Sequence, residues 1–138
     1  MTFAKLALGL CGLLVACNRP AKDPANPPAA EAPQIESNLT VSQAAELIKT
    51  GPQVQLIDVR SNAEWAGGYI PGAKHIPVDD IPTRMAEIDK SKTVLLYCAA
   101  GGRSHRAMEM LKAAGYRDVR HLADGISGWK AAGLTITK

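Results

Sequence analysis

The order of local patterns between residues 38 and 138 predicts an α/β fold with a parallel central sheet flanked by helices. Two observations carry the prediction. Strand-like and helix-like segments alternate along the whole stretch, as they do where parallel strands are joined by helical crossovers. Two of the strand-like segments, Val-Gln-Leu-Ile-Asp-Val at 54–59 and Thr-Val-Leu-Leu-Tyr-Cys at 93–98, are nearly continuous apolar runs, as expected of strands covered on both faces. Neither observation fixes the order of strands in the sheet.

Each element has its own local reason. Leu-Thr-Val at 39–41 reads as a short strand, followed by a helix capped by Ser42 and stopped at Gly51. The strand over Val54–Val59 comes next. Ser61 and Glu64 stand at capping-box spacing, so a short helix begins there. The Gly-Gly-Tyr-Ile-Pro-Gly stretch is loop and turn, with a brief strand at Lys74–Ile76. Residues 78–89 read as a helix that tolerates Pro82 in its first turn. After the second buried strand, residues 104–115 carry an apolar stripe of Ala107, Met110, Leu111 and Ala114, with Gly115 as the stop. Val-Arg-His-Leu-Ala at 119–123 is a further strand, and residues 126–133 a last short helix.

The first 37 residues do not join this pattern. One lysine, Lys5, precedes an apolar stretch from Leu6 to Ala16, too short to span a bilayer and suited to the core of a secretory signal. The stretch ends Leu14-Val15-Ala16-Cys17, which resembles the lipobox of bacterial lipoproteins. That resemblance implies a signal peptide at 1–16, lipidation of Cys17 and a membrane partner reached through the lipid. It also implies a place in the bacterial cell envelope, facing the periplasm. Asn18 after the cysteine is similar to sequences bound for the outer membrane in enteric bacteria. Residues 17–37 then read as the lipidated cysteine and a Pro/Ala-rich tether, with Pro20, Pro24, Pro27, Pro28 and Pro33 keeping it extended. The folded domain is assigned to 38–138.

Composition narrows the partners. A net charge of +3 with no block of lysines or arginines gives nucleic acid no footprint. His75, His105 and His121 lack metal-ligand spacing.

The chemistry concentrates at Cys98. It stands at the carboxyl end of a strand, where sites form in open parallel sheets, and Asp58 should end a second strand on the same edge. The loop Ala99-Ala100-Gly101-Gly102-Arg103 leads from it into a helix N-terminus. Free N–H groups and the helix dipole favour an anion there, so the thiol should ionise below its free value. The competing reading is a buried structural cysteine. Arg103 either binds an oxyanion or caps the loop through carbonyls. Asp58 and Arg60 are read as loop-fixing residues, Ser104 as a cap or first-turn support, Trp65 and Trp129 as core, and His105 as solvent-facing.

Three segments together resemble a single-domain rhodanese, a thiosulfate:cyanide-type sulfurtransferase. They are Leu-Ile-Asp-Val-Arg-Ser-Asn-Ala-Glu-Trp through Ile81, Val-Leu-Leu-Tyr-Cys-Ala-Ala-Gly-Gly-Arg-Ser at 94–104, and Leu-Ala-Asp-Gly-Ile-Ser-Gly-Trp from Leu122. The resemblance implies that Cys98 takes the outer sulfur of a small-molecule donor such as thiosulfate and passes it to a nucleophilic acceptor, cyanide in the test tube, with no metal or organic cofactor needed. Two positions depart from the family: Tyr69 where histidine is frequent, and Asp124 where glycine is frequent. Cysteine phosphatases and arsenate reductases share the fold and the thiolate loop but place five residues between cysteine and arginine, against four here. A sulfur-delivery or binding module is the third class left open. Natural donor, acceptor, oligomeric state and protein partners are not legible.

Overall fold

The computed structural model describes residues 35–138. The signal-like segment, Cys17 and the tether as far as residue 34 lie outside the described residues. Five strands form one sheet: β1 (Asn38–Leu39), β2 (Val54–Asp58), β3 (Lys74–His75), β4 (Thr93–Tyr97) and β5 (Val119–Leu122). Their order is β1-β5-β4-β2-β3, with every neighbouring pair parallel. The helices are α1 (Val41–Thr50), α2 (Asn62–Ala66), α3 (Ile81–Arg84), α4 (Gly102–Ala113) and α5 (Gly125–Ala131).

Alternation along the central strands divides the core into two layers. Val94, Leu96 and Cys98 face Ala107, Met108 and Leu111 of α4, together with Ile81 and Ile88. Leu95 and Tyr97 face the opposite way, toward Ala44 of α1 and Ile126 and Trp129 of α5. Both faces of β4 are therefore dry, which explains its nearly unbroken apolar sequence.

Several local readings change. Thr40, not Ser42, caps α1: its hydroxyl accepts the Gln43 N–H at 3.3 Å, and the Gln43 side chain accepts the Thr40 N–H at 2.9 Å. A reciprocal pair satisfies two free donors where Ser42 alone would satisfy one, so the helix starts earlier. The segment 78–89 is not one helix but three short pieces, with 3₁₀ turns at Val78–Asp80 and Met85–Glu87 on either side of α3. Pro82 does sit in the first turn of α3. On α4 the buried face runs through Ser104, Ala107, Met108 and Leu111, while Met110 and Ala114 lie at its margin. The helix begins at Gly102, two residues before the expected start, and Met108, four residues after Ser104 and three before Leu111, shares their face. Trp129 is core, but Trp65 is only half-buried. It stacks between Tyr69 (centroids 3.7 Å apart) and His75 (4.8 Å) on the surface.

Candidate active site

Strand β4 ends at Tyr97 and delivers Cys98 to the carboxyl edge of the sheet, with its side chain in the α4 layer and 1% exposed. The loop that follows is held backbone to backbone. Gly101 has φ +100°, and a Cβ there would collide with the Ala123 carbonyl. Gly125 has φ +58°, and its Cβ would collide with the carbonyls of Cys98 and Ala99. Glycine is needed at both positions for the conformation and for the close approach. The start of α5 then donates to the loop: Ile126 N–H to the Cys98 carbonyl at 2.8 Å and Ser127 N–H to that of Ala99 at 3.1 Å. With its carbonyls drawn outward to α5, the loop is free to turn N–H groups toward the sulfur. The Gly101 N–H donates to Sγ at 3.1 Å.

Two opposed effects act on the thiol. Burial disfavours the anion, while hydrogen bonds from Ser104 (N–H and hydroxyl), Ala100 N–H and Gly101 N–H favour it. The hydrogen bonds prevail, and the thiol is held below its ordinary value. Cys98 is thus a buried cysteine whose thiol ionises more readily than an ordinary one, and it is the only free thiol among the described residues. Ala99 and Ala100 add only methyl groups to the loop, and Gly102 adds no side chain, so the loop presents backbone to whatever the sulfur carries.

Arg103 and Ser104, both in the first turn of α4, point in different directions. Ser104 is fully buried, with its Oγ 3.0 Å from the Gly101 carbonyl. Arg103 reaches across to α2, where Nη1 and Nη2 each donate to one carboxylate oxygen of Glu64 at 2.7 Å. The same Glu64 closes the capping box with Ser61, accepting its N–H at 3.0 Å. The guanidinium and the Ser61 donors hold the Glu64 carboxyl at about 2. Two of the five guanidinium N–H groups are committed to Glu64, and the other three make no hydrogen bond among the described residues. A cleft of about 320 Å³ opens beside Arg103, lined also by Arg60, Ser61, Asn62, Asp79 and Asp80. Cys98 does not line it.

Asp58 and Arg60 are adjacent to the site without facing the sulfur. They form a buried pair, Nη2 to Oδ2 at 2.6 Å, and Nη2 also donates to the Gly68 carbonyl at 2.7 Å. The pair ties the loop after β2 to the Gly68–Tyr69 turn, beneath the Tyr97 ring. Burial and the neighbouring Asp58 push the Tyr97 phenol well above its ordinary range, so it stays neutral and accepts the Ile70 N–H at 3.1 Å.

Two contributors escaped the sequence reading. Glu64 carried a visible signal, its capping-box spacing, but nothing linked it to Arg103. His121 shows no signal in the sequence beyond its lack of metal-ligand spacing, yet its Nδ1 lies 3.1 Å from Ser104 Oγ. The two departures from the family are accommodated. Asp124 has φ −89°, which any residue adopts, and Tyr69 stacks on Trp65 while its backbone bridges to Thr137. Among the described residues no group of three His, Cys, Asp or Glu side chains is arranged to hold a metal.

This geometry has relatives. The model of the rhodanese-like domain matches residues 40–132, from the cap of α1 past the end of α5. The chain belongs to the rhodanese-like family. A sulfurtransferase of Allochromatium vinosum is 45% identical over 83 residues, covering 60% of this chain and 78% of that protein. The putative sulfurtransferase YtwF of Bacillus subtilis is 37% identical over 92 residues, covering 65% and 88%. Other relatives are longer, and this chain spans 60% or 24% of their length. Among solved structures, a rhodanese-like domain protein from Staphylococcus aureus superposes with a TM-score of 0.66 at 34% identity, covering 74% of this chain and 99% of that one. The parallel five-stranded sheet flanked by helices is the architecture of this family.

Proposed function

We propose that this rhodanese-like chain is a sulfurtransferase that carries sulfur as a persulfide on Cys98. The observation that carries the reading is the Cys98 sulfur at the floor of a backbone-lined loop, accepting the Gly101 N–H at 3.1 Å. Kinship with proteins named as sulfurtransferases supports sulfur transfer in general. Thiosulfate as donor and cyanide as test acceptor are our finer assignment.

The Cys98 thiolate attacks the outer sulfur of thiosulfate. A new S–S bond forms, the old one breaks, and its electron pair leaves with sulfite. The product, Cys98–S–S⁻, places one charged sulfur where the loop N–H groups converge, so the same donors that favour the thiolate favour the intermediate. Cyanide then attacks the outer sulfur, thiocyanate departs and the Cys98 thiolate returns. In this scheme Arg103 meets the sulfonate end of the donor with the N–H groups that Glu64 leaves free. Four residues between Cys98 and Arg103 favour this one-sulfur anion over a phosphoryl group.

Mass spectrometry after incubation with thiosulfate should show one added sulfur atom, removed by cyanide with release of thiocyanate. Cys98→Ser should show neither adduct nor turnover. Turnover by Cys98→Ser would overturn the reading, as would aryl phosphate hydrolysis by the wild type that matches its sulfur transfer and disappears with Cys98.

We also propose that the chain is lipidated on Cys17 and anchored in a bacterial envelope facing the periplasm, since Leu14-Val15-Ala16-Cys17 follows an apolar signal-like stretch. A fatty-acid analogue should label the wild type and not Cys17→Ser. Equal labelling of the two, or none of either, would refute the anchor and leave the enzyme reading intact.

A further inference from the structure

His121 is a buried imidazole behind the Cys98 loop, and sulfur transfer as set out above gives it no part. It lies on β5 in register with Asn38 of β1 on one side and Leu96 of β4 on the other. Its Nε2 is 2.8 Å from Asn38 Oδ1 and its Nδ1 is 3.1 Å from Ser104 Oγ. The titratable groups facing it come from α4: His105, whose ring meets it edge-on at 5.3 Å, and Lys112, whose Nζ donates to Ser37 Oγ at 2.9 Å. β1 and β4 contribute no charge at this point.

The protons can be counted. Asn38 Oδ1 only accepts, so Nε2 carries a hydrogen, and a neutral ring then has a bare Nδ1. That nitrogen competes for the hydroxyl hydrogen of Ser104. Ser104 has only one such hydrogen, and three acceptors surround it: Nδ1, the Gly101 carbonyl at 3.0 Å and the Cys98 sulfur. When the ring is protonated, Nδ1–H donates to Oγ and the hydroxyl hydrogen is released to the loop. The sulfur anion then competes for that hydrogen with the Gly101 carbonyl alone, and it gains a nearby positive charge.

We propose that His121 is a positioning residue for sulfur transfer: by setting which way the Ser104 hydroxyl points, it couples ionisation of the Cys98 sulfur to its own protonation. The proposal rests on the persulfide reading of Cys98 only for its purpose, because the coupling exists whatever the thiolate attacks. Burial, then His105 and Lys112, hold the imidazole below its ordinary range, so it is neutral at pH 7 and charges as the medium acidifies. The coupling therefore sustains the thiolate at acidic pH, where an isolated thiol would reprotonate.

The test is the rate of Cys98 alkylation by iodoacetamide against pH, which needs no sulfur transfer. His121→Asn keeps a polar partner for Ser104 and removes the titration. It should react roughly three- to tenfold more slowly than wild type at about pH 5.5 and converge with it above about pH 8, as expected for a difference of half to one pKa unit. In a Ser104→Ala background the same substitution should change the profile by less than about twofold, within the usual scatter of uncoupled sites. Superimposable profiles for wild type and His121→Asn would overturn the proposal, as would a His121→Asn effect that persists undiminished without the Ser104 hydroxyl. If His121→Asn fails to fold, imidazole titration by NMR in wild type and Cys98→Ser answers the same question. Coupling is reciprocal, so His121 must titrate lower without the thiolate, and an unmoved titration refutes it.

Discussion

Two arginine–carboxylate pairs flank the sulfur loop, and they differ in almost every physical respect. Asp58 and Arg60 are two residues apart, with side chains 0% and 5% exposed. Glu64 and Arg103 are 39 residues apart, and their side chains are 34% and 38% exposed. The first pair has lost its water and replaced it with protein: Arg60 donates to both Asp58 oxygens and to the Gly68 carbonyl. The second still faces solvent, and three guanidinium N–H groups make no hydrogen bond among the described residues. Identical chemistry thus serves as scaffold in one place and as an adjustable mouth in the other, and burial makes the difference. A buried ion stripped of its partner cannot recover its hydration, whereas an exposed one can.

The largest expected effect comes from breaking the buried pair. Asp58→Ala leaves the Arg60 guanidinium buried and uncompensated, and should cost about 3–5 kcal/mol of folding stability. Replacing both members with apolar residues, Asp58→Leu with Arg60→Met, should recover most of that, because the loss comes from the orphaned charge. Denaturant unfolding of the three proteins measures both. A loss under about 1 kcal/mol for Asp58→Ala, the range of exposed pairs, would erase the distinction drawn here.

The same contrast separates what the sequence made legible from what it did not. Cys98, Gly101 and Arg103 were readable because their meaning is local: a strand ends, glycines turn, a helix begins. The sheet edge carrying Asp58 and Cys98 was readable because apolar runs mark buried parallel strands. Residues 78–89 read as one helix in the sequence, but the backbone tightens into 3₁₀ turns on both sides of Ile81–Arg84. Trp65 reads as core in the sequence, but α2 is only five residues long and holds it half-buried against Tyr69 and His75. The Glu64–Arg103 pair and the His121–Asn38 contact, which spans 83 residues, exist only after the chain has folded. No periodicity or spacing could have announced them.

The smaller prediction tests the exposed pair, and it separates charge from structure. Glu64→Gln retains a side chain that can close the capping box with Ser61, so α2 should persist. What disappears is the negative charge that cancels Arg103. The stability change should stay below about 1 kcal/mol, as for other solvent-facing pairs. Its pH dependence has a definite sign. Glu64 titrates at about 2 in the folded protein, below its ordinary value of 4.5, so its contribution is complete above that ordinary value and is lost as pH falls through about 2. Wild type and variant should therefore differ most in stability near neutrality and converge in strong acid. Activity should move the other way. A mouth with an uncancelled guanidinium attracts a dianion more strongly, so kcat/KM for thiosulfate should rise by roughly three- to tenfold at low ionic strength, and salt should erode the gain. The gain should appear in KM, because the proposed scheme has Arg103 meet the donor's sulfonate end while the reacting sulfur lies in the loop. Thiosulfate kinetics unchanged by Glu64→Gln would mean that Arg103 does not meet the donor, and that the exposed pair, like the buried one, only holds the fold together.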